Sequence, residues 1–206
     1  MDNKAIREKY EGFAPVYDWA EGVPEALFVR RLRKRIFRRA RGRILEVAAG
    51  TGRNFAFLPA DAWIVAADAT EGMLRRAREK ARHLPVRASF AVMEVEALAF
   101  RDATFDTVMS SLSTCTFLDP VAALREMARV CRPDGRILLL EHGRSSREWI
   151  GRFQDRTADA HHRALACRWN REPHELARAA GLELVTHSRH VLGVLHVMEA
   201  RPGAVR

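Results

Sequence analysis

Ile44-Leu45-Glu46-Val47-Ala48-Ala49-Gly50-Thr51-Gly52 decides the fold. An apolar strand runs into a turn of small residues, and Asn54–Leu58 then starts a helix that Pro59 limits. Only small residues let a backbone pass close to a bound ligand at such a turn. In an open parallel sheet the ligand lies outside the carboxyl ends of the strands, where strand order reverses. A Gly-rich turn by itself is equally a tight connection between strand and helix.

Downstream, Ala62–Ala67 reads as a second buried strand ending at Asp68. A carboxylate there accepts hydrogen bonds from ribose hydroxyls; its alternative is to cap the next helix. Thr70 is a second candidate cap, for a helix over Glu71–His83. Val86–Met93 and Thr104–Ser111 are the third and fourth strands. Asp119-Pro120 opens a helix to Cys131 as cap and first helical residue. Pro133-Asp134-Gly135 turns the chain into the apolar strand Arg136–Glu141. Strands alternating with helices at this spacing imply a doubly wound, mostly parallel α/β sheet of the Rossmann-like kind.

Beyond it, Ser145–Ala166 reads as one or two polar helices, and Asn170 caps a helix that closes at Gly181. Leu182–Arg189 and Val194–Ala200 read as two antiparallel edge strands around Gly193, giving seven strands in all. The chain of 206 residues is expected to form one domain. Residues 1–42 are expected to supply appended helices, one of them basic, 43–144 the ligand-binding core, and 145–206 further helices and the edge strands; the resemblance given below implies a lid role for the first part and an acceptor side for the last.

Composition narrows the function classes. No apolar run reaches the ~18–20 residues of a membrane span, and the polar start Met1-Asp2-Asn3-Lys4 leads into no signal core. A cytoplasmic protein is the expectation. Cys115, Cys131 and Cys167 form no C-x-x-C pair and read as reduced thiols. His161-His162 beside Cys167 offers no third convergent ligand, because adjacent helical side chains diverge, so no metal is expected.

The net charge of +9 is concentrated: Arg30 to Arg43 holds nine basic residues in fourteen positions and no acid. Such a patch favours phospholipid head groups, nucleic acid or an acidic substrate; the alternative is a solvated helix face. Within it, Ala26–Arg41 reads as a helix with Phe28, Leu32 and Ile36 in one stripe and Val29 and Phe37 beside it. That helix either lies at an anionic membrane surface or docks its stripe on the sheet.

From about Arg41 to Glu141 these segments together resemble the class I S-adenosylmethionine methyltransferases, in the ubiquinone/menaquinone-biosynthesis-like (type 11) branch. The family turn E-x-G-x-G-x-G is matched at Glu46, Gly50 and Gly52, with Ala48 in place of its first glycine. Val65–Leu74 resembles the second strand and its helix, Glu94–Phe100 the segment beside the adenine, and Phe105–Val108 and Arg132–Arg136 the later strand signatures. Tyr10–Asp18 resembles the family's lid, whose second tyrosine (here Tyr17) lies near the sulfonium. Aromatic faces attract such a cation; a plain hydrophobic staple is the alternative.

The resemblance implies S-adenosyl-L-methionine as cofactor and S-adenosyl-L-homocysteine as product. It implies cofactor contacts at Glu46, Ala48, Gly50, Thr51, Gly52, Asp68, Ala69, Met73, Glu94, Val95, Ser110, Tyr10 and Tyr17. His142, after the fifth strand, is the candidate base or acceptor ligand, with Tyr17 the second candidate catalytic residue; a structural histidine is the alternative. The tail around Glu141-His142, Trp149 and Cys167–Glu172 resembles membrane-associated thiol and phospholipid methyltransferases, which makes Trp149 and Trp169 either core or walls of an apolar pocket.

The leading expectation is therefore methylation of a small or amphipathic acceptor: a lipid head-group amine, a quinone precursor or a thiol. An RNA-directed protein using the basic patch on phosphates is the second reading. The N-P-P-Y-type tetrad of many nucleic-acid methylases is missing after the fourth strand, which makes nucleic acid an unfavoured partner. A cofactor-binding scaffold without chemistry is the third.

Overall fold

The computed structural model describes residues 2–14, 17–20, 28–60 and 62–203. Seven strands form one sheet in the order β3-β2-β1-β4-β5-β7-β6. They are β1 (Arg43–Val47), β2 (Trp63–Asp68), β3 (Arg87–Val92), β4 (Phe105–Ser111), β5 (Cys131–His142), β6 (Leu182–His190) and β7 (Leu195–Pro202). The first five run parallel; β7 inserts antiparallel between β5 and β6. Strand order reverses between β1 and β4, so their carboxyl ends frame the crevice where such sheets take ligands.

The helices are α1 (Asn3–Phe13), α2 (Tyr17–Ala20), α3 (Arg30–Phe37), α4 (Glu71–Ala81), α5 (Pro120–Val130), α6 (Glu148–Leu165) and α7 (Pro173–Ala179). Alternation along the strands divides the core into two layers. Leu45, Val47, Val108 and Leu139 face α5 and α7, while Ile44, Ile64, Met109 and Leu138 face α3 and α4. Asp119 caps α5 as expected, its Oδ1 accepting from the N–H groups of Val121 and Ala122.

Several local expectations change. The helix expected from Asn54 is a single 3₁₀ turn, Phe55–Phe57. Thr70 precedes α4, but its hydroxyl turns back to Asp68 Oδ1 at 2.6 Å. Pro133-Asp134-Gly135 is a bulge inside β5, because Phe105 pairs with Cys131 while Thr107 pairs with Arg136. Asn170 caps nothing: its amide donates to Asp155, and α7 starts at Pro173 behind Glu172.

The basic helix docks its stripe. Val29, Ile36 and Phe37 are buried against the sheet, although Phe28 stays half exposed; residues 26 and 27 of the expected helix lie outside the described residues. Arg33 is the exception among the charges. Only 4% exposed, it donates to Asn54 Oδ1 at 2.6 Å and Ser111 Oγ at 2.7 Å.

Candidate functional site

The turn after β1 is built from left-handed backbone. Ala48 has φ +46°, Gly50 +55° and Gly52 +73°. A side chain at Gly52 would meet the Phe55 ring, with carbon–carbon distances starting at 2.5 Å, whereas one at Gly50 would project into open space. That open space is a cleft along the carboxyl ends of β1, β2 and β4. One half is bounded by Tyr10, Tyr17, Gly50, Met73 and Ser111, and the other by Ile6, Ala69, Met93, Glu94, Val95 and Phe117. Ala48, Asp68, Thr70 and Tyr10 belong to both halves.

Asp68 is the electrostatic centre of the cleft. Its Oδ2 accepts from the Gly50 N–H at 2.8 Å, and its Oδ1 from the Thr70 N–H and hydroxyl. Burial raises its carboxyl above the ordinary value, and these donors oppose the rise. A carboxylate accepts about four hydrogen bonds, so Oδ2 keeps a position for a ligand hydroxyl. These residues fit an adenosyl sulfonium: an open turn, an acceptor for ribose, apolar walls for a base and tyrosines for a cation.

The expected residues fall into two groups. Tyr10, Tyr17, Ala48, Gly50, Asp68, Ala69, Met73, Glu94 and Val95 line the cleft. Glu46, Thr51, Gly52 and Ser110 do not. Glu46 is buried beneath the turn with Oε1 accepting from the Asn54 amide and Oε2 lacking a partner among the described residues. Burial pushes its carboxyl up to about 8, against the pull of Asn54 and Arg33. The Thr51 hydroxyl is committed to Asp18 at 2.7 Å. Ser110 points to the opposite face of β4, toward Glu141, and its neighbour Ser111 takes the expected place. Burial along β4 could not choose between the two serines, because Val108 and Met109, on opposite faces, are both fully buried.

The N-terminal residues on either side of Pro15 and Val16, which lie outside the described residues, are tied to the rest of the chain. Lys9 Nζ donates to the last carbonyls of α6, Arg163 at 2.8 Å and Ala164 at 2.5 Å, a favourable place for a cation. Glu11 accepts from the Gly72 N–H at the start of α4, and Asp18 from Thr51, Arg53 and Lys80. The Arg53 guanidinium lies 5.5 Å from the Tyr17 ring centroid.

Beyond the tyrosines opens a second cavity of about 530 Å³. Its walls include Phe13, Leu112, Leu165 and Trp169, with Lys9, Tyr10, Tyr17, Cys115, His142, His161 and Cys167 among its polar and aromatic lining. His142 and Tyr17 therefore share one chamber. Trp169 forms its wall, stacked on His161 at 4.2 Å; Trp149 is 74% exposed and is neither core nor wall.

Buried Glu141 shapes this chamber. It accepts from the Ser110 hydroxyl, the Ser113 and Thr114 N–H groups and the Thr114 hydroxyl. Burial raises its carboxyl above the usual range. The loop thus held carries Cys115 toward Cys167, whose Sγ lies 3.4 Å from His142 Nε2. The ligand atoms that converge here are not those of His161-His162 with Cys167. Cys115, His142 and Cys167 place their ligand atoms within 4.8 Å of one another, while His161 is committed to the Cys167 carbonyl. The cysteines are free, buried thiols.

A family model described as a methyltransferase domain matches residues 45–139. The chain is 31% identical to "Methyltransferase OMS1, mitochondrial" of Saccharomyces cerevisiae over 93% of its own length and 45% of that protein's. It is 32% identical to a phosphatidylethanolamine N-methyltransferase of Cereibacter sphaeroides, covering 69% of this chain and 70% of that one. A ubiquinone/menaquinone biosynthesis C-methyltransferase UbiE of Geotalea uraniireducens is 33% identical over 66% of this chain and 62% of its own. The chain thus spans less than two thirds of two of these three relatives.

Proposed function

This chain belongs to the S-adenosylmethionine-dependent methyltransferases, and on that premise we propose that it methylates a small or amphipathic acceptor seated in the 530 Å³ cavity. Members of the family use S-adenosylmethionine as methyl donor. The observation that carries the reading is a shared wall: Tyr10 and Tyr17 border both the cleft and the cavity. A methyl group leaving the cleft past Tyr17 would enter that chamber.

Under this reading Asp68 holds the ribose, Val95 and Glu94 flank the base, and the tyrosine faces favour the sulfonium over the neutral thioether product. Transfer is an in-line displacement, so positioning supplies much of the rate and a base matters only for a protonated acceptor. His142 is the group placed for that base or for an acceptor hydrogen bond. The mostly apolar walls suit a hydrocarbon or quinone ring better than a nucleobase with its many polar edges. The relatives reported above name a phospholipid amine and a quinone as acceptors, and the RNA-directed alternative draws no support from them.

A peripheral place at an anionic membrane is part of the proposal. Arg30, Arg31, Lys34 and Arg35 on α3 and Arg38 just after it stay exposed, and the apolar stripe of the helix is spent on the sheet, so attraction would be electrostatic. Among the described residues no helix is long and apolar enough to cross a membrane.

The test is transfer of isotope-labelled methyl from S-adenosylmethionine to phosphatidylethanolamine, a demethylated quinone and total RNA, with product mass as readout. Label in a lipid or quinone is expected. Label in RNA alone, or no cofactor binding by calorimetry, would overturn the reading.

A further inference from the structure

We propose that Cys115, His142 and Cys167 form a binding site for a soft divalent cation of the zinc class, with its remaining coordination position open to the acceptor cavity. The donor set is two sulfurs and an imidazole, which suits zinc far better than magnesium or calcium. Zinc bonds of about 2.3 Å to sulfur and about 2.0–2.1 Å to nitrogen set a tetrahedral S–N edge of about 3.5 Å. The His142 Nε2 to Cys167 Sγ distance is 3.4 Å. All three ligand atoms lie within 4.8 Å of one another, so the remaining edges close onto one ion with a shortening of at most about 1.3 Å, which side-chain rotation can supply.

The three ligands come from three separate segments, and each is fixed by bonds that no ion supplies. Cys115 sits on the loop that Glu141 holds through the Ser113 and Thr114 N–H groups. His142 ends β5, paired with Leu195 of β7. Cys167 follows the end of α6, and its loop is stitched to the Cys115 loop twice. The Arg168 N–H donates to the Cys115 carbonyl at 2.9 Å, and the Arg171 guanidinium donates to the carbonyls of Thr114 and Phe117. A preformed trio binds an ion without the ordering cost that a flexible one carries.

All three side chains line the cavity, so an ion there has three protein ligands and one side toward the acceptor. Closed structural zinc sites use four protein ligands; three plus an exchangeable fourth is the pattern of sites that meet a substrate. With an ion bound, His142 Nε2 is a ligand and no longer a base, so metal content decides which role that residue takes. A second trio, His174, His187 and His196, fits a cation less well. Its nitrogens already have partners: His187 Nε2 and His196 Nδ1 share a hydrogen bond at 3.1 Å, and His174 Nδ1 faces Glu172 Oε2 at 3.4 Å.

The experiment uses the full chain, stripped of metal, reduced with a phosphine and titrated with cobalt(II), then zinc. One cobalt per chain is expected, with thiolate-to-cobalt charge-transfer absorption and tetrahedral ligand-field bands that zinc abolishes. Cys115→Ser and Cys167→Ser should each weaken cobalt binding at least tenfold, with circular dichroism and cofactor affinity retained. His187→Ala should bind as the parent does. A small thiol added as an exogenous probe should shift the ligand-field bands. Absence of stoichiometric cobalt in the reduced chain, charge-transfer bands that survive both serine variants, or loss confined to His187→Ala would overturn the site. An unshifted spectrum with the thiol would overturn the open position. Cofactor binding is measured separately, so failure of the methyl-transfer reading leaves this result intact.

Discussion

The Gly50 N–H donates to Asp68 Oδ2 at 2.8 Å, joining the turn after β1 to the end of β2. One carboxylate thus closes the turn and faces the cleft. Asp68→Ala removes both functions, each hydrogen bond to the charged group contributing about 1.5–3 kcal/mol. Binding of S-adenosylmethionine should weaken at least tenfold by calorimetry, and the urea midpoint should fall. Unchanged affinity would remove Asp68 from the cofactor site.

Ala48 stands where the family turn has glycine, and its φ of +46° is backbone that a Cβ disfavours. Ala48→Gly relieves about 1 kcal/mol of strain and gives back about 0.4–1 kcal/mol as unfolded-chain entropy. Its stability should stay within about 1 kcal/mol of the parent. Gly52→Ala is different, because its new methyl meets the Phe55 ring. A loss of at least about 1–3 kcal/mol is expected from overpacking, read by urea unfolding.

Tyr17 and His142 border one chamber. The double variant Tyr17→Phe, His142→Ala should lower kcat at least tenfold with cofactor affinity changed less, since general acid–base groups contribute about 10²–10⁴-fold where a proton must move. Full turnover would remove their chemical roles.

Stability should fall on both sides of a middle pH range. Glu46 is raised to about 8 in the folded chain, so its contribution is complete below 4.5 and is lost as pH rises toward and through 8. Burial and nearby cations push His196 down to about 3, so its contribution is complete above 6.5 and is lost as pH falls toward 3. Glu46→Gln should flatten the alkaline limb and His196→Gln the acid limb, each by up to about 1.4 kcal/mol per pH unit. Limbs that keep their slope in both variants would assign the pH dependence to other groups.

Vesicle co-sedimentation checks the basic helix. With its apolar stripe against the sheet, binding to anionic vesicles should appear at low salt and vanish as salt rises. Salt-resistant binding would require an inserted apolar surface elsewhere, such as exposed Trp19 or Trp149. No binding at low salt would favour a water-soluble acceptor.

The order of strands and helices was legible because each depends on a local pattern. The apolar run before Ala48-Ala49-Gly50, the Asp119-Pro120 start and the pairing of the last two segments are set within about ten residues. Boundaries moved where a side chain found a distant partner: Asn170 turned to Asp155 and Thr70 to Asp68. Tertiary structure alone decided the rest. Arg33 lies in a run of solvated charges, yet it is buried because Asn54 and Ser111 meet it under the turn. Ser110 reads as a cleft residue, yet the two-residue alternation of β4 turns it toward Glu141 and gives its place to Ser111, while Glu46 lies beneath the turn, held by the Asn54 amide. Cys115, His142 and Cys167 are separated by 27 and 25 positions, too far for any periodicity to relate them. They meet because Glu141 folds one loop and Arg168 and Arg171 tie the other to it, contacts that exist only once the sheet has closed.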